Sequence, residues 1–371
     1  MAYTTIDDPS EYFQTAVYTG NGSTVVTVTN DGNSNLQPDL LWFKRRDNNA
    51  SHVLLDTTRG ANVTSGFGPT GYSMALNPNT AASGVADSTG VMTITSDGFT
   101  SKEMTYAAGN LSTGSMVAWQ WHCNGGTTSS NTDGDITSTV QVNTDAGFSI
   151  ITYSGTTGDV HTIGHGLGVT PQVWIVKQDN TGGSFQNWFF WHHQMAASNV
   201  VDNRMLFLDT DANVATYTGI NAVTSSTIRV KSSTTAQNGK TYVAYVFAEK
   251  KGFSKFGSYI GSGSAKGVFV WTGFKPAWVM IKNSYNNGWN WAIMDSKRNP
   301  DNTIDKYIWA DVDAGPEYDG TGISLDVDFL SNGFRLPTSR GEVNLNGATF
   351  IFMAFAENPF VTSTGVPTTA R

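Results

Sequence analysis

Histidines, carboxylates and a lone thiol are the residues of this chain whose types could do chemistry, and their spacing argues against most of it. His161 and His165 stand four apart, a spacing that ligates zinc from one face of a helix. Gly164 and Gly166 flank the second of them, however, and no helical pattern surrounds the pair. His192 and His193 are adjacent and fall on opposite faces of a strand. Cys123 is the single cysteine, and its neighbour His122 also falls on the other face, so the thiol has no positioned base and reads as buried and inert. Asp56 and Asp295 hold equivalent places in two related segments, where a third segment offers Phe190 or Trp191. A glycosidase needs a second carboxylate about 5–9 Å away. The sequence names none, so both read as structural turn or surface carboxylates. No Gly-x-Ser-x-Gly elbow and no phosphate-cradling Gly-Lys-Ser/Thr loop is present.

Two further sets invite binding rather than catalysis. Asp209-x-Asp211-x-Asn213 and Asp311-x-Asp313 resemble calcium loops but lack the glycine at the sixth place and the glutamate at the twelfth. Asx turns capping strand ends explain them. The one calcium site the sequence offers is near Asp311 and Asp313, where Glu317 and Asp319 would add oxygens. Trp188, Trp191, Trp289 and Trp291 cluster beside a predicted hairpin. They are either core or a ligand and partner surface of the kind that stacks on sugars.

The elements that would position these residues repeat. Pro38-Asp39-Leu40-Leu41-Trp42-Phe43-Lys44 returns as Pro171 to Lys177 and again as Pro276 to Lys282. Each phrase follows a Tyr-and-Gly opening (Tyr18, Tyr153, Tyr259), runs into a polar turn, and resumes as an apolar run, which predicts a hairpin. Each copy closes on an aromatic strand: Val117 to His122, Val243 to Glu249, Ile351 to Glu357. These closing strands alternate imperfectly, as strands buried on both faces do. No long window has helical periodicity. The expectation is an all-β fold of three tandem antiparallel β-sandwich, jelly-roll-like domains. Its boundaries are an N-terminal docking arm over 1–14 carrying Tyr3, Tyr12 and Phe13, repeats over 15–124, 145–250 and 251–360, a Ser/Thr/Asn/Gly linker over 125–144, and a tail over 361–371.

Composition narrows the function. The chain has 371 residues and a formal net charge of −8, which opposes a nucleic-acid backbone as partner. Charged residues make up 14% and aromatics 12%, with polar duty passed to Thr, Ser, Asn and Gly. One cysteine rules out an intrachain disulfide. No signal sequence is legible, and no run of about 18 apolar residues suits membrane insertion.

The phrases Met1-Ala2-Tyr3-Thr4-Thr5-Ile6-Asp7-Asp8-Pro9, Gly166-Leu167-Gly168-Val169-Thr170-Pro171, Ser96-Asp97-Gly98-Phe99 and Ala354-Phe355-Ala356-Glu357-Asn358-Pro359-Phe360 together resemble structural proteins of tailed bacteriophages, of marine and cyanophage type. The resemblance implies a virion protein made in the host cytoplasm, in tail or fibre, without cofactors and not an enzyme. It implies other virion proteins as partners and a homo-oligomer, a trimer above others. A host-glycan-binding adhesin, a polysaccharide depolymerase, and a capsid decoration or head fibre are the alternatives.

Overall fold

The computed structural model describes residues 3–22, 25–59, 61–62, 66–67, 73–82, 85–87, 92–101, 113–179, 186–195, 204–217, 223–313, 318–319 and 325–369. The fold is all-β. Among the described residues the only helical turns are Pro9–Glu11 and Gly341–Asn344, and no helix is long and apolar enough to cross a membrane.

Each repeat builds the same unit of four antiparallel strands. In repeat 1 an opening strand, Phe13–Thr19, pairs with the closing strand Ser115–Trp121, which pairs with the lysine-bearing strand Leu40–Arg45, which turns back into a return strand, Val53–Asp56. Repeat 2 repeats the order with Phe148–Ser154, Thr241–Phe247, Val173–Gln178 and Phe189–His192. Repeat 3 does so with Ser254–Ile260, Thr349–Pro359, Phe274–Asn283 and Ala292–Asp295. The phrase proline of repeat 3, Pro276, sits at a register shift in its strand, one of the places a sheet tolerates a residue without an N–H.

A smaller sheet accompanies each unit: Val26–Val28 with Gly98–Ser101 and Met92–Thr95, Val160–Gly164 with Thr227–Lys231, and Phe269–Trp271 with Gly333–Arg335 and Asp328–Leu330. Ser96-Asp97 and Ser331-Asn332 form the two-residue turns, one position before the predicted Asp-Gly and Asn-Gly centres, and Gly98 and Gly333 open the returning strands. Glycine is required at both, because a Cβ on Gly98 or Gly333 would fall 2.1 Å from the carbonyl oxygen of Val28 or Val270 on the neighbouring strand.

The two faces of the large sheet have different partners, and this explains the imperfect alternation. In repeat 1, Leu41, Phe43, Val53, Leu55 and Ala118 point toward the small sheet and pack with Val28, Ile94 and Phe99. Leu40, Trp42, Leu54, Trp119 and Trp121 point the other way, into a second cluster that takes in residues of all three repeats. The expected row of three sandwiches thus takes the form of three units around a common core. At its centre Trp42, Trp121, Ile175, Tyr245, Phe247, Trp278, Met280 and Met353 leave a gap of only about 20 Å³. Ring contacts cross it: Trp119 to Trp278 at 6.4 Å, Trp121 to Phe355 at 5.6 Å, and Phe247 to Phe355 at 5.9 Å.

Two boundary expectations need correction. The stretch 125–144 is not a bare linker: Ser129–Asn131 and Ser138–Asn143 are strands that extend the repeat 2 sheet. Gln141 within it donates to the hydroxyls of Thr57 and Thr58 at 2.9 Å each, tying repeat 2 to repeat 1. The arm is also engaged within the chain. Phe13 is buried as the first residue of the opening strand and stacks on Phe355 at 5.3 Å. Tyr12 meets the edge of Phe253 at 5.7 Å. The Tyr3 hydroxyl donates to the Gly273 carbonyl at 2.8 Å, under the Lys251 ammonium at 4.3 Å from its ring.

Candidate functional site

Asp56, Asp295, His52 and His192 lie at the seams between repeats, where they close a ring, whereas His161 and His165 bond within repeat 2 and the strands that extend it. The position opposite the first core residue of each phrase is Asp56, His192 or Asp295, paired with Leu40, Val173 and Trp278 respectively. The repeat 2 counterpart of the two aspartates is therefore His192, not Phe190 or Trp191. All three side chains are buried and all three reach the next repeat. Asp56 Oδ2 accepts from the Tyr245 hydroxyl at 2.7 Å. Asp295 Oδ2 accepts from Trp119 Nε1 at 3.0 Å. His192 Nε2 lies 3.3 Å from the Phe352 carbonyl oxygen.

Each of these side chains also caps its own turn. Asp56 Oδ1 accepts from the amides of Thr58 and Arg59 at 3.0 Å, and Asp295 Oδ1 from those of Lys297 and Arg298 at 3.1 and 2.9 Å. His192 Nδ1 does the same work for Gln194 at 3.1 Å. With Nδ1 accepting, the ring proton is on Nε2, and the imidazole donates to Phe352. Burial pushes the His192 pKa well below the usual range, so the ring is neutral. The carboxylates are balanced by arginines three residues on. Arg59 Nε is ion-paired to Asp56, and Arg298 Nε to Asp295 at 2.6 Å. Repeat 2 has Met195 at that place and no charge to balance.

A second set of bonds closes the ring in the opposite sense. Trp188 Nε1 donates to the Asn77 carbonyl at 2.9 Å, from repeat 2 to repeat 1. Trp291 Nε1 donates to the Phe207 carbonyl at 3.0 Å, from repeat 3 to repeat 2. His52 completes the circuit from repeat 1 to repeat 3: its Nδ1 accepts from Trp42 Nε1 at 2.9 Å, so its Nε2 donates to the Trp309 carbonyl at 2.8 Å. Burial keeps His52 neutral as well. The backbone amides of the three donors are each held by an Asx oxygen: His52 by Asn79 at 2.8 Å, Trp188 by Asp209 at 3.0 Å, Trp291 by Asp311 at 3.0 Å.

The phrase lysines lie under these turns. Lys177 Nζ donates to the carbonyls of Ala81 and Gln186 at 2.8 and 2.5 Å. Lys282 Nζ donates to those of Asp211, at 2.9 Å, and Trp289. Lys44 is buried beside the charge of Asp313, and its Nζ has no hydrogen-bond partner among the described residues. Burial pushes all three ammonium groups down to about 8.

The candidate ligand residues fall out accordingly. Trp188, Trp191 and Trp291 are buried and belong to the core rather than to a surface. Trp289 is half-buried over Gly341, where a Cβ would sit 2.5 Å from its ring. Asp311 is engaged by the Trp291 amide, and burial pushes its pKa up to about 6. Among the described residues no three His, Cys, Asp or Glu side chains gather as metal ligands. Glu317, and the side chain of Asp319, lie outside the described residues. The Cys123 thiol is buried, donates to the Gln141 carbonyl at 3.2 Å, and is pushed well above its usual pKa by burial.

The family model described as domain of unknown function DUF7483 matches residues 8–359. The chain belongs to the DUF7483 family. The match spans all three repeats. No curated protein matches the chain, and no solved structure does.

Proposed function

We propose that this chain is a non-enzymatic virion component of a tailed bacteriophage, an exterior tail, fibre or appendage protein that acts in assembly or host-surface contact. One observation carries the reading. The carboxylates and buried histidines with types suited to catalysis are committed to holding three repeats in a ring: Asp56, Asp295, His52 and His192 each cap or pair within the chain and bond across a seam. The phrases shared with phage structural proteins support the setting. Other virion proteins are its partners, and a homotrimer is its assembled form. Gold-labelled antibody against the chain, imaged on purified particles, tests this. Label on the particle exterior is the expected result. Intact particles free of label, with the chain left in the soluble lysate, would sink it.

A further inference from the structure

We infer that repeat 3 carries a glycan-binding platform on its outer strand, built by Phe269 and Trp271. The two side chains stand two apart on the strand Phe269–Trp271, so they share one face. Each is 49% exposed, while Val270 between them is 6% exposed and faces the core.

The fold does not demand aromatic rings there. Strand register fixes the counterparts, because Val270, Val28 and Ile163 all face the equivalent core residue of the next strand: Phe334, Phe99 and Ile228. The outward positions beside them are Thr27 and Thr29 in repeat 1, and Thr162 and Gly164 in repeat 2. Repeat 1 exposes two threonines. Repeat 2 covers its own strand, since a Cβ on Gly164 would collide with Asn131 Oδ1 at 1.7 Å. Only repeat 3 places large rings at these positions, against the cost of leaving apolar surface in water.

The rings are held in place for a ligand. Phe360 meets Trp271 edge-on at 5.6 Å, and Tyr3 braces Phe360 at 6.1 Å, with its hydroxyl fixed on Gly273. The bracing orders the indole before anything binds, which lowers the entropy lost on binding. Polar arms flank the other ring. Arg335 is the cross-strand partner of Phe269 and is held by the Lys266 carbonyl at 3.0 Å and by Asp328 at 3.8 Å.

The size of the patch selects the occupant. Two half-exposed aromatic rings offer on the order of 200 Å², far below the roughly 800 Å² per partner that a stable protein interface buries. Arg335 flanks the Phe269 ring, and Phe360 with Tyr3 backs the Trp271 ring. A sugar matches this: one face of C–H groups to lie on the ring, and a rim of hydroxyls for the guanidinium and carboxylate alongside. The inference rests on the host-contact reading for the source of the glycan, while the site itself is testable on the isolated chain.

Native electrophoresis of the full chain, in gels cast with soluble dextran, galactomannan or Gram-negative O-antigen polysaccharide, is the direct test. At least one gel retards the wild-type chain. The double variant Phe269→Thr/Trp271→Thr installs the residues that repeat 1 tolerates, and weakens that retardation roughly tenfold or more. Trp271→Phe keeps a ring and retains an intermediate affinity. Circular dichroism confirms that both variants are folded. Free migration of wild type in all three gels overturns the proposal, as does equal retardation of wild type and double variant. A wild-type dimer in sedimentation equilibrium that the double variant abolishes also overturns it, in favour of a second copy as occupant. Retardation without label on the particle would leave the platform standing and remove the virion setting. The reverse outcome would leave a structural ring without a glycan site.

Discussion

The seam between repeats 3 and 1 and the seam between repeats 2 and 3 fill the same gap with opposite hydrogen-bond polarity. At the first, Trp119 brings an N–H across, and Asp295 receives it with Arg298 as counter-charge. At the second, the residue equivalent to Trp119 is Met353, since Trp119 pairs with Trp42 as Met353 pairs with Met280. A thioether brings no donor. What the neighbour offers there is a backbone carbonyl, and repeat 2 answers with His192, a donor, and drops the arginine for Met195. The seam between repeats 1 and 2 follows the first pattern, with Tyr245 donating to Asp56. The lesson is that three positions diverged as sets: donor, acceptor and counter-ion changed together, because a buried charge or an unmet polar group costs too much to be left alone.

Breaking the charged seam gives the largest effect. Asp295→Ala strands Arg298 in the interior and removes the acceptor of Trp119, so chemical denaturation shows a loss of about 3–5 kcal/mol. A loss under about 1 kcal/mol would show that the pair is dispensable. Next, His192→Asp sets a carboxylate against the Phe352 carbonyl with no arginine three residues on to pair it, and costs about 3 kcal/mol. Adding Met195→Arg recovers at least about 1 kcal/mol of this in a double-mutant cycle, and strict additivity would contradict the exchange of sets. Tyr245→Phe removes one hydroxyl from Asp56 and costs about 1–2 kcal/mol in the same assay.

The lysines give the smallest and most discriminating contrast. Lys282→Met takes its donor from the Trp289 carbonyl and one of two donors from the Asp211 carbonyl and costs about 1–2 kcal/mol, whereas Lys44→Met removes an amine with no hydrogen-bond partner among the described residues and is neutral or stabilising. Their titration has a definite sign. The folded-state pKa of each is depressed to about 8 from the ordinary lysine value of 10.5. Between these values each lysine is more protonated in the unfolded chain than in the folded one, so the lysine contribution to stability rises with pH from about 8 to about 10.5, opposed by the buried Cys123 thiol and tyrosines. Below about 8 both states are charged and this contribution is flat. Lys44→Met lowers the slope over that window. An unchanged slope in that variant would mean that the Lys44 ammonium reaches water.

Much of the fold was legible because its signals are local. The Pro-to-Lys phrase announces the repeats, and Asp97-Gly98 and Asn332-Gly333 announce hairpins, although the turn centres fall one residue earlier. The seams were not legible, because a contact such as Trp119 to Asp295 spans 176 positions. Without it Asp56 and Asp295 read as turn or surface carboxylates, and the turn-capping half of that reading is what their Oδ1 atoms do. The four tryptophans were ambiguous for a related reason: strand alternation allows one buried face, and this ring buries both. Polar composition over 125–144 suggested a linker, yet Ser129–Asn131 is an edge strand with exposed side chains, for which polar residues are the expected choice. The outer pair Phe269 and Trp271 was open to discovery by aligning Phe269-Val270-Trp271 on Thr27-Val28-Thr29.

The ring has a consequence for persistence. A three-membered ring assembled from separate subunits falls apart when diluted, because its stability depends on protomer concentration. Here the members are joined covalently, so closure is a first-order event that proceeds equally well at one molecule per droplet. Released into open water at vanishing abundance, such a ring would keep its shape without any reservoir of free partners.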